Sequence, residues 1–337
     1  MRARVVGLTV VGLGGCALAV ALLAGTWPTP SPEELALDES FETVATGEGS
    51  YLDPADLVPR TGAELSRSVR VSGDEDTGDA DDDTVVWTAQ TTTSDADGTL
   101  IDTGVTIACL DRRTAEAQPC AAESVDGEPV DVAGLTVAFP PDTQRRDHDV
   151  WDGAVRQALP ARFAGTDEVR GLAVLRFEQE VPEQAVATVA VPGEWFGPAP
   201  DADADDDAAA DDDEPAGDLS ADVLHSGTRT LLVEPVSGVV VTAEESVLTV
   251  LRAPDGRAGP VLLSGTFRST DATVADAVAR ARQALDRQDG MDDGLRWALG
   301  GTGLALVVLG ALLAVRSRPA TAQPGEDEPA RVPVLTA

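Results

Sequence analysis

The sequence predicts a membrane protein in which two transmembrane helices flank a β-rich (α+β) extracytoplasmic domain with a mainly antiparallel sheet. Three observations carry that expectation. Two long apolar runs without charged residues lie near the two ends of the 337-residue chain. Between them, runs rich in Val, Thr and Leu alternate apolar with polar residues, as a half-buried strand does. Asp-Gly pairs separate successive runs, as tight hairpins require.

The first apolar run, 5–25 (VVGLTVVGLGGCALAVALLAG), is long enough at 1.5 Å per residue to cross a hydrocarbon core of about 30 Å. The second, WALGGTGLALVVLGALLAV, begins at Trp297. Arg2 and Arg4 before the first and Arg316 and Arg318 after the second place both termini in the cytoplasm, because Arg is retained on that side. Trp27 and Trp297 fall at the opposite ends, where indole rings favour the interface; Arg296 there is the one dissenting charge. The expected organisation is a cytoplasmic N-terminus (1–4), helix 5–27, an extracytoplasmic domain 28–293, helix 294–316 and a disordered cytoplasmic tail (317–337), a two-pass protein of the cytoplasmic membrane. Two alternatives compete at the N-terminus: cleavage after Leu22-Leu23-Ala24, and lipidation at Cys16, which the apolar residues following it disfavour.

Residues 28–293 hold 18 Arg against 56 Asp and Glu, a balance of −38. All 24 basic residues of the chain are Arg, and the net charge is −35. Nucleic acid is excluded as a partner, since a phosphate backbone is bound by clustered positive charge. Strands are expected at 84–94, 99–108, 172–181, 228–233, 239–249 and 261–268, with Asp97-Gly98 and Asp255-Gly256 as hairpin turns. The sheet should thus have at least six strands. A helix is expected at 271–289. Ser269, Thr270 or Asp271 can cap it, Val274, Val278, Ala281 and Leu285 form one apolar stripe for packing on the domain's own sheet, and Gly290 follows.

The tract DADADDDAAADDDEP, 201–215, has no turn glycine and no closing bidentate Glu, so it reads as a disordered spacer rather than a calcium loop; the acidic cluster 74–83 reads the same way. Chemistry is sparse. His148, within Arg146-Asp147-His148-Asp149, lacks a second His or Cys at metal spacing and reads as a solvated loop. His225 lies in no catalytic context, and no cofactor or metal is expected. Cys109 and Cys120 flank ten residues and are expected to be oxidised outside the cytoplasm; two buried thiols are the alternative.

Several blocks then fall in a recognisable order. They are Leu110-Asp111-Arg112-Arg113-Thr114, Glu123 to Pro129, Gly134-Leu135, Phe139-Pro140, Trp151-Asp152-Gly153, Leu159 to Phe163, Gly171 to Phe177, Thr228 to Gly238, and Thr270 to Val274. Together they resemble an actinobacterial membrane-protein family, the porin PorA family. Members more often carry Trp at the position of Leu232 and a Tyr-rich stretch where this chain has its poly-Asp tract. The resemblance implies a cell-envelope role and carries no catalytic residue over. The leading expectation is a non-catalytic tethered protein that binds or hands over a lipid, glycolipid or envelope polymer beside the cytoplasmic membrane. The rivals are an envelope hydrolase using paired carboxylates and an oligomeric channel or structural subunit. Gly310 and Ala314, at four-residue spacing, would suit an oligomer through close helix packing.

Deleting 201–214 should leave unfolding free energy within about 0.5 kcal/mol of the parent, or raise it slightly at low salt, because solvated loops contribute little and like charges repel. Denaturant titration at two salt concentrations measures this. A loss above about 2 kcal/mol would identify a structural or ion-binding role for the tract.

Overall fold

The computed structural model describes residues 34–197 and 217–316, together with 9–13, 15, 16 and 19; for 289–296 and 314–316 it describes backbone alone. It divides into two compact units, Pro30–Gln288 and a second made of Met1–Thr29 with Asp289–Ala337. The larger unit holds one 12-stranded sheet, in which every ladder between neighbouring strands is antiparallel. Its strands are β1 (Ser40–Leu52), β2 (Pro59–Gly73), β3 (Thr84–Asp95), β4 (Leu100–Asp111), β5 (Ala117–Gln118), β6 (Ser124–Val125), β7 (His148–Asp152), β8 (Gln157–Val169), β9 (Leu172–Pro192), β10 (Asp218–Val233), β11 (Val240–Arg252) and β12 (Ala258–Ser269). The spatial order is β5-β4-β3-β2-β1-β12-β11-β10-β9-β8-β7, with β6 on β4.

That order is two meanders joined where the first strand pairs with the last. Small residues form this seam. Gly47 and Gly49 of β1 face β12, and a Cβ at either would collide with the carbonyl oxygen of Thr266 or Ser264. Only glycine permits so close an approach, which is how a sheet turns a corner. At the far ends of the order, Leu135 bridges both Glu116, next to β5, and Val150 of β7. Ala117 N–H donates to Gly134 O at 2.8 Å and Trp151 N–H to Leu135 O at 2.7 Å. The Arg156–Glu128 ion pair, at 2.6 Å, joins the same two regions. The sheet therefore curls on itself.

The hairpin turns are held by acids. Asp53, Asp95, Asp111 and Asp152 each accept two backbone N–H bonds from residues two to four positions ahead, and Glu234 does the same. A short carboxylate that satisfies its own turn is the usual reason Asp is favoured there. In the 74–83 segment Asp81 accepts from Asp83 N and Thr84 N, and Arg112 binds Asp82 O. This segment is an ordered turn, unlike the disordered loop its composition suggests. Cys109 and Cys120 are joined by a disulfide, which pins β4 to the chain just beyond β5.

The concave face is filled. Trp87, Leu110, Phe139, Trp151, Phe177 and Val233 belong to the main apolar cluster, and Tyr51, Leu65, Leu263 and Phe267 form a second. The helix α1 (Asp271–Arg316) is capped by Thr270, whose Oγ1 accepts from Thr273 N. Val278 and Ala281 pack with Leu172, Val174 and Val241 on the other face of the sheet, and Val274 and Leu285 border them. The helix runs past Gly290.

The two-span architecture is overturned. Among the described residues no helix is long and apolar enough to cross a membrane. Residues 300–303 (GGTG) dilute the apolar run in α1. The placement as a two-pass protein of the cytoplasmic membrane falls with the spans. Trp297 is 80% exposed; Arg2, Arg4, Trp27, Arg318, the acidic tract 201–215, the tail 317–337 and most of 5–27 lie outside the described residues, and Arg316 is described in backbone alone.

The seam can be tested directly. Gly47→Ala should lower unfolding free energy by about 2 kcal/mol or more, as forced overlap with backbone does. Gly104→Ala in β4, where a Cβ would meet nothing nearer than Asp126 Oδ1 at 3.8 Å, should stay within about 0.5 kcal/mol. Chemical denaturation of both variants measures the difference.

Candidate functional site

One cross-strand row runs through the middle of the concave face: Gln179 of β9 opposite Arg229 of β10, Arg229 opposite Glu245 of β11, and Glu245 opposite Phe267 of β12. Continuing, Phe267 stands opposite Gly47, and Gly47 opposite Leu65. The small residues of β1 leave space for Arg67 of β2 to reach across to β11. Its guanidinium lies 4.6 Å from the centroid of the Phe267 ring and its Nη1 is 2.7 Å from Glu245 Oε2.

Arg229 is the hub. Its Nη2 is 2.7 Å from Glu245 Oε1 and 3.3 Å from Asp152 Oδ2, and its Nη1 donates to Gln179 Oε1 at 3.1 Å. Each acceptor is oriented by a second contact. Gln179 Nε2 donates to Val150 O at 2.7 Å and Leu159 O at 3.0 Å, which fixes which end of the amide faces Arg229. Asp152 Oδ1 accepts from Ala154 N and Val155 N, leaving Oδ2 for the guanidinium. Arg67 Nε donates to Thr93 Oγ1, which is fully buried.

Burial by itself would raise the Glu245 carboxyl, but the guanidiniums of Arg229 and Arg67 override it and hold it at about 2. Burial would likewise lower Arg229, and Glu245 and Asp152 more than reverse that. His225, whose Nδ1 is 2.9 Å from Thr249 Oγ1, is pushed down chiefly by burial, with Asp152 and Glu245 pulling it back. His148 is not in a solvated loop. It lies in β7, 7% exposed, between Phe139 and Phe177, with both ring centroids at 5.5 Å, and Nε2 donates to Gln144 O. Burial lowers its basicity as well, so both histidines are held neutral as parts of the interior.

This geometry leaves little for catalysis. Glu245 and Asp152 do converge, but on a shared cation, and a carboxyl held at about 2 cannot serve as a general acid near neutrality. Asp79, Cys109 and Cys120 lie close enough to suggest a metal site, yet the two sulfurs are consumed by the disulfide. A shallow groove of about 330 Å³ lies where bulges interrupt the β9–β10 ladder, lined by Glu180, Pro182, Glu183, Ser226, Thr228 and Ser246 among others. The cysteine pair and the helix stripe were visible in the sequence. Arg67, Gln179, Arg229 and Glu245 carried no local motif; the available signal is a charged residue, Arg229 or Glu245, at an inward position of a strand whose adjacent inward positions are apolar or small.

Acid should weaken this network. Glu245 has a lower pKa folded than unfolded, so its contribution is complete above about 4.5 and is lost as pH falls toward about 2. The difference amounts to roughly 3 kcal/mol. His225, also lowered, adds loss in the same direction below its ordinary pKa. Glu245→Gln should flatten the acid limb of the stability curve, and Arg229→Met, which strands Asp152 and leaves Glu245 with Arg67 alone, should cost about 3 kcal/mol at pH 7. Urea unfolding from pH 2.5 to 8 measures both.

No curated protein matches the chain. Among solved structures, an exported protein with a YmcC-like fold from Bacteroides fragilis NCTC 9343 aligns at 11% identity over 70% of this chain and 97% of its own length, with a TM-score of 0.22, too low to carry an argument. The model of the family described as Porin PorA matches residues 6–312, and the chain belongs to that family.

Proposed function

We propose that this PorA-family chain is a non-catalytic cell-envelope protein that binds a glycolipid or envelope polymer on the outer surface of its β domain. The observation that carries this reading is the groove at the β9–β10 bulges. There the hydroxyls of Ser226, Thr228 and Ser246 and the carboxylates of Glu180 and Glu183 lie beside Pro182 and Leu248. Hydroxyls and carboxylates flanked by small apolar surfaces suit a polyhydroxylated ligand, with polar groups setting orientation. An internal chamber for a whole lipid is not supported, since Phe139, Phe177, Phe267, Leu110 and Leu251 fill the interior.

The Glu245 ion pairs weigh against the hydrolase reading, because a carboxyl held at about 2 is a poor general acid. A transmembrane pore built from one copy of the sheet is likewise disfavoured. The convex face carries Glu42, Glu48, Glu64, Arg70, Glu244 and Arg268, all exposed, where a membrane-spanning barrel presents an apolar band.

The full chain, purified without added lipid, should carry a sugar-bearing molecule in native mass spectrometry. After its removal, the chain should bind envelope glycan in calorimetric titration. Thr228→Trp and Ser246→Trp fill the groove and should each weaken binding at least tenfold with melting temperature unchanged. Unaltered binding in both variants, or no glycan binding by the parent, would refute the reading.

A further inference from the structure

β9 has 21 residues, and two neighbours for only part of its length. Its ladder with β8 covers 172–179, whereas its ladder with β10 continues to Pro192. From 184 to 191 the strand (QAVATVAV) therefore has one backbone partner among the described residues. Positions 185–190 are all exposed, and Val186 and Val189 retain 37% and 36% of their surface. An uncharged run of high strand propensity on an open edge is the arrangement that soluble proteins ordinarily block with Lys, Pro or a bulge. Here Pro182 and the bulges around 223–227 of β10 guard one end, and among the described residues nothing guards the run itself.

We propose that this edge is a homodimer interface in which β9 of one copy pairs antiparallel with β9 of a second about a two-fold axis at Thr188. This goes beyond the ligand-binding reading and does not depend on it. The sequence is self-complementary in that register. Val189 stands opposite Ala187 of the second copy, Ala190 opposite Val186, and Val191 opposite Ala185, so each Val meets an Ala and no two large side chains compete. Charge favours the same register. In a chain of net charge −35, two copies approach most easily along an uncharged strip. The carboxylates bounding it do not face each other: Glu183 falls opposite Gly193, and Glu194 opposite Pro182. Glu183 is moreover paired with Arg252 of its own copy at 3.3 Å. The contact is isologous and closes after two copies, so it does not propagate into fibres. It joins the two sheets through the backbone hydrogen bonds of strand addition.

Sedimentation equilibrium of the full chain should show a dimer. Val189→Lys, which brings two ammonium groups to neighbouring positions on one face across the axis, should raise the dissociation constant at least tenfold with melting temperature and circular dichroism unchanged. A cross-linking series fixes the register independently. In a Cys16→Ser background, Thr188→Cys places two thiols opposite each other at the axis, within disulfide reach of strand-paired positions. It should form a covalent dimer under mild oxidation. Val186→Cys should not cross-link alone but should do so when mixed with Ala190→Cys. A monomeric parent chain, a dimer indifferent to Val189→Lys, or equal cross-linking by Thr188→Cys and Val186→Cys alone would overturn the proposal. A monomer whose edge is occupied by a different polypeptide falls under the first of these outcomes.

Discussion

The interior of the β domain depends on one guanidinium. Arg229 gathers Glu245 of β11, Asp152 at the end of β7 and Gln179 of β9, and through Glu245 it is tied to Arg67 of β2. Strands from both meanders thus meet at a single charge balance of two cations and two anions. Removing one member would leave another charge inside without a partner, which costs more than any single apolar contact nearby. This makes the row less a source of net stability than a constraint on register. A slip of one residue in β10 or β11 would turn Arg229 or Glu245 to the convex face and bring its neighbours into the apolar interior.

The same constraint explains the glycines of β1. For Arg67 to meet Glu245 its side chain has to cross β1 and β12, and Ala45, Gly47 and Gly49 keep the inward side of β1 low. Close approach of β1 to the carbonyls of Thr266 and Ser264 also bends the sheet there, so curvature and ion pairing share one set of small residues. At the opposite end Leu135 bridges Glu116, beside β5, and Val150 of β7. Gly153 of the Trp151-Asp152-Gly153 block lies against Thr106 of β4, so this block closes the curl as well as supplying a ligand to Arg229.

Acidity here has two physical meanings. One part of it is local: Asp53, Asp81, Asp95, Asp111, Asp152 and Glu234 are spent on backbone N–H groups of turns. The rest is a solvated surface that repels like-charged molecules and is partly screened by salt. Against that background the uncharged open strand edge in β9 is, among the described residues, where contact with another molecule costs least electrostatically. Family membership in PorA agrees with an envelope role, while the paired interior carboxylates argue against hydrolysis.

The sequence by itself determined the antiparallel strands at 84–94, 99–108, 172–181, 228–233, 239–249 and 261–268, the turns at Asp97-Gly98 and Asp255-Gly256, and the packing stripe of Val274, Val278, Ala281 and Leu285. These are local signals: alternation, turn chemistry and helical period act over a few residues, and each is complete within its own stretch. The PorA blocks were legible for the same reason. Strands β1 and β2 were missed because Ser, Arg, Glu and Gly recur through them, and β8 because Pro160, Gly165 and its charged end interrupt the alternation; such residues become strands only when neighbours on both sides satisfy their backbone. Apolar runs at the ends satisfied a length rule, yet the described helix supplies no span, since hydropathy of a segment does not state which part of it forms a continuous apolar surface. Above all, the meeting of Arg67, Asp152, Gln179, Arg229 and Glu245 could be decided only by tertiary structure. Up to 178 residues separate the partners in sequence, and their proximity follows from the pairing of first strand with last, a long-range choice that no local pattern records.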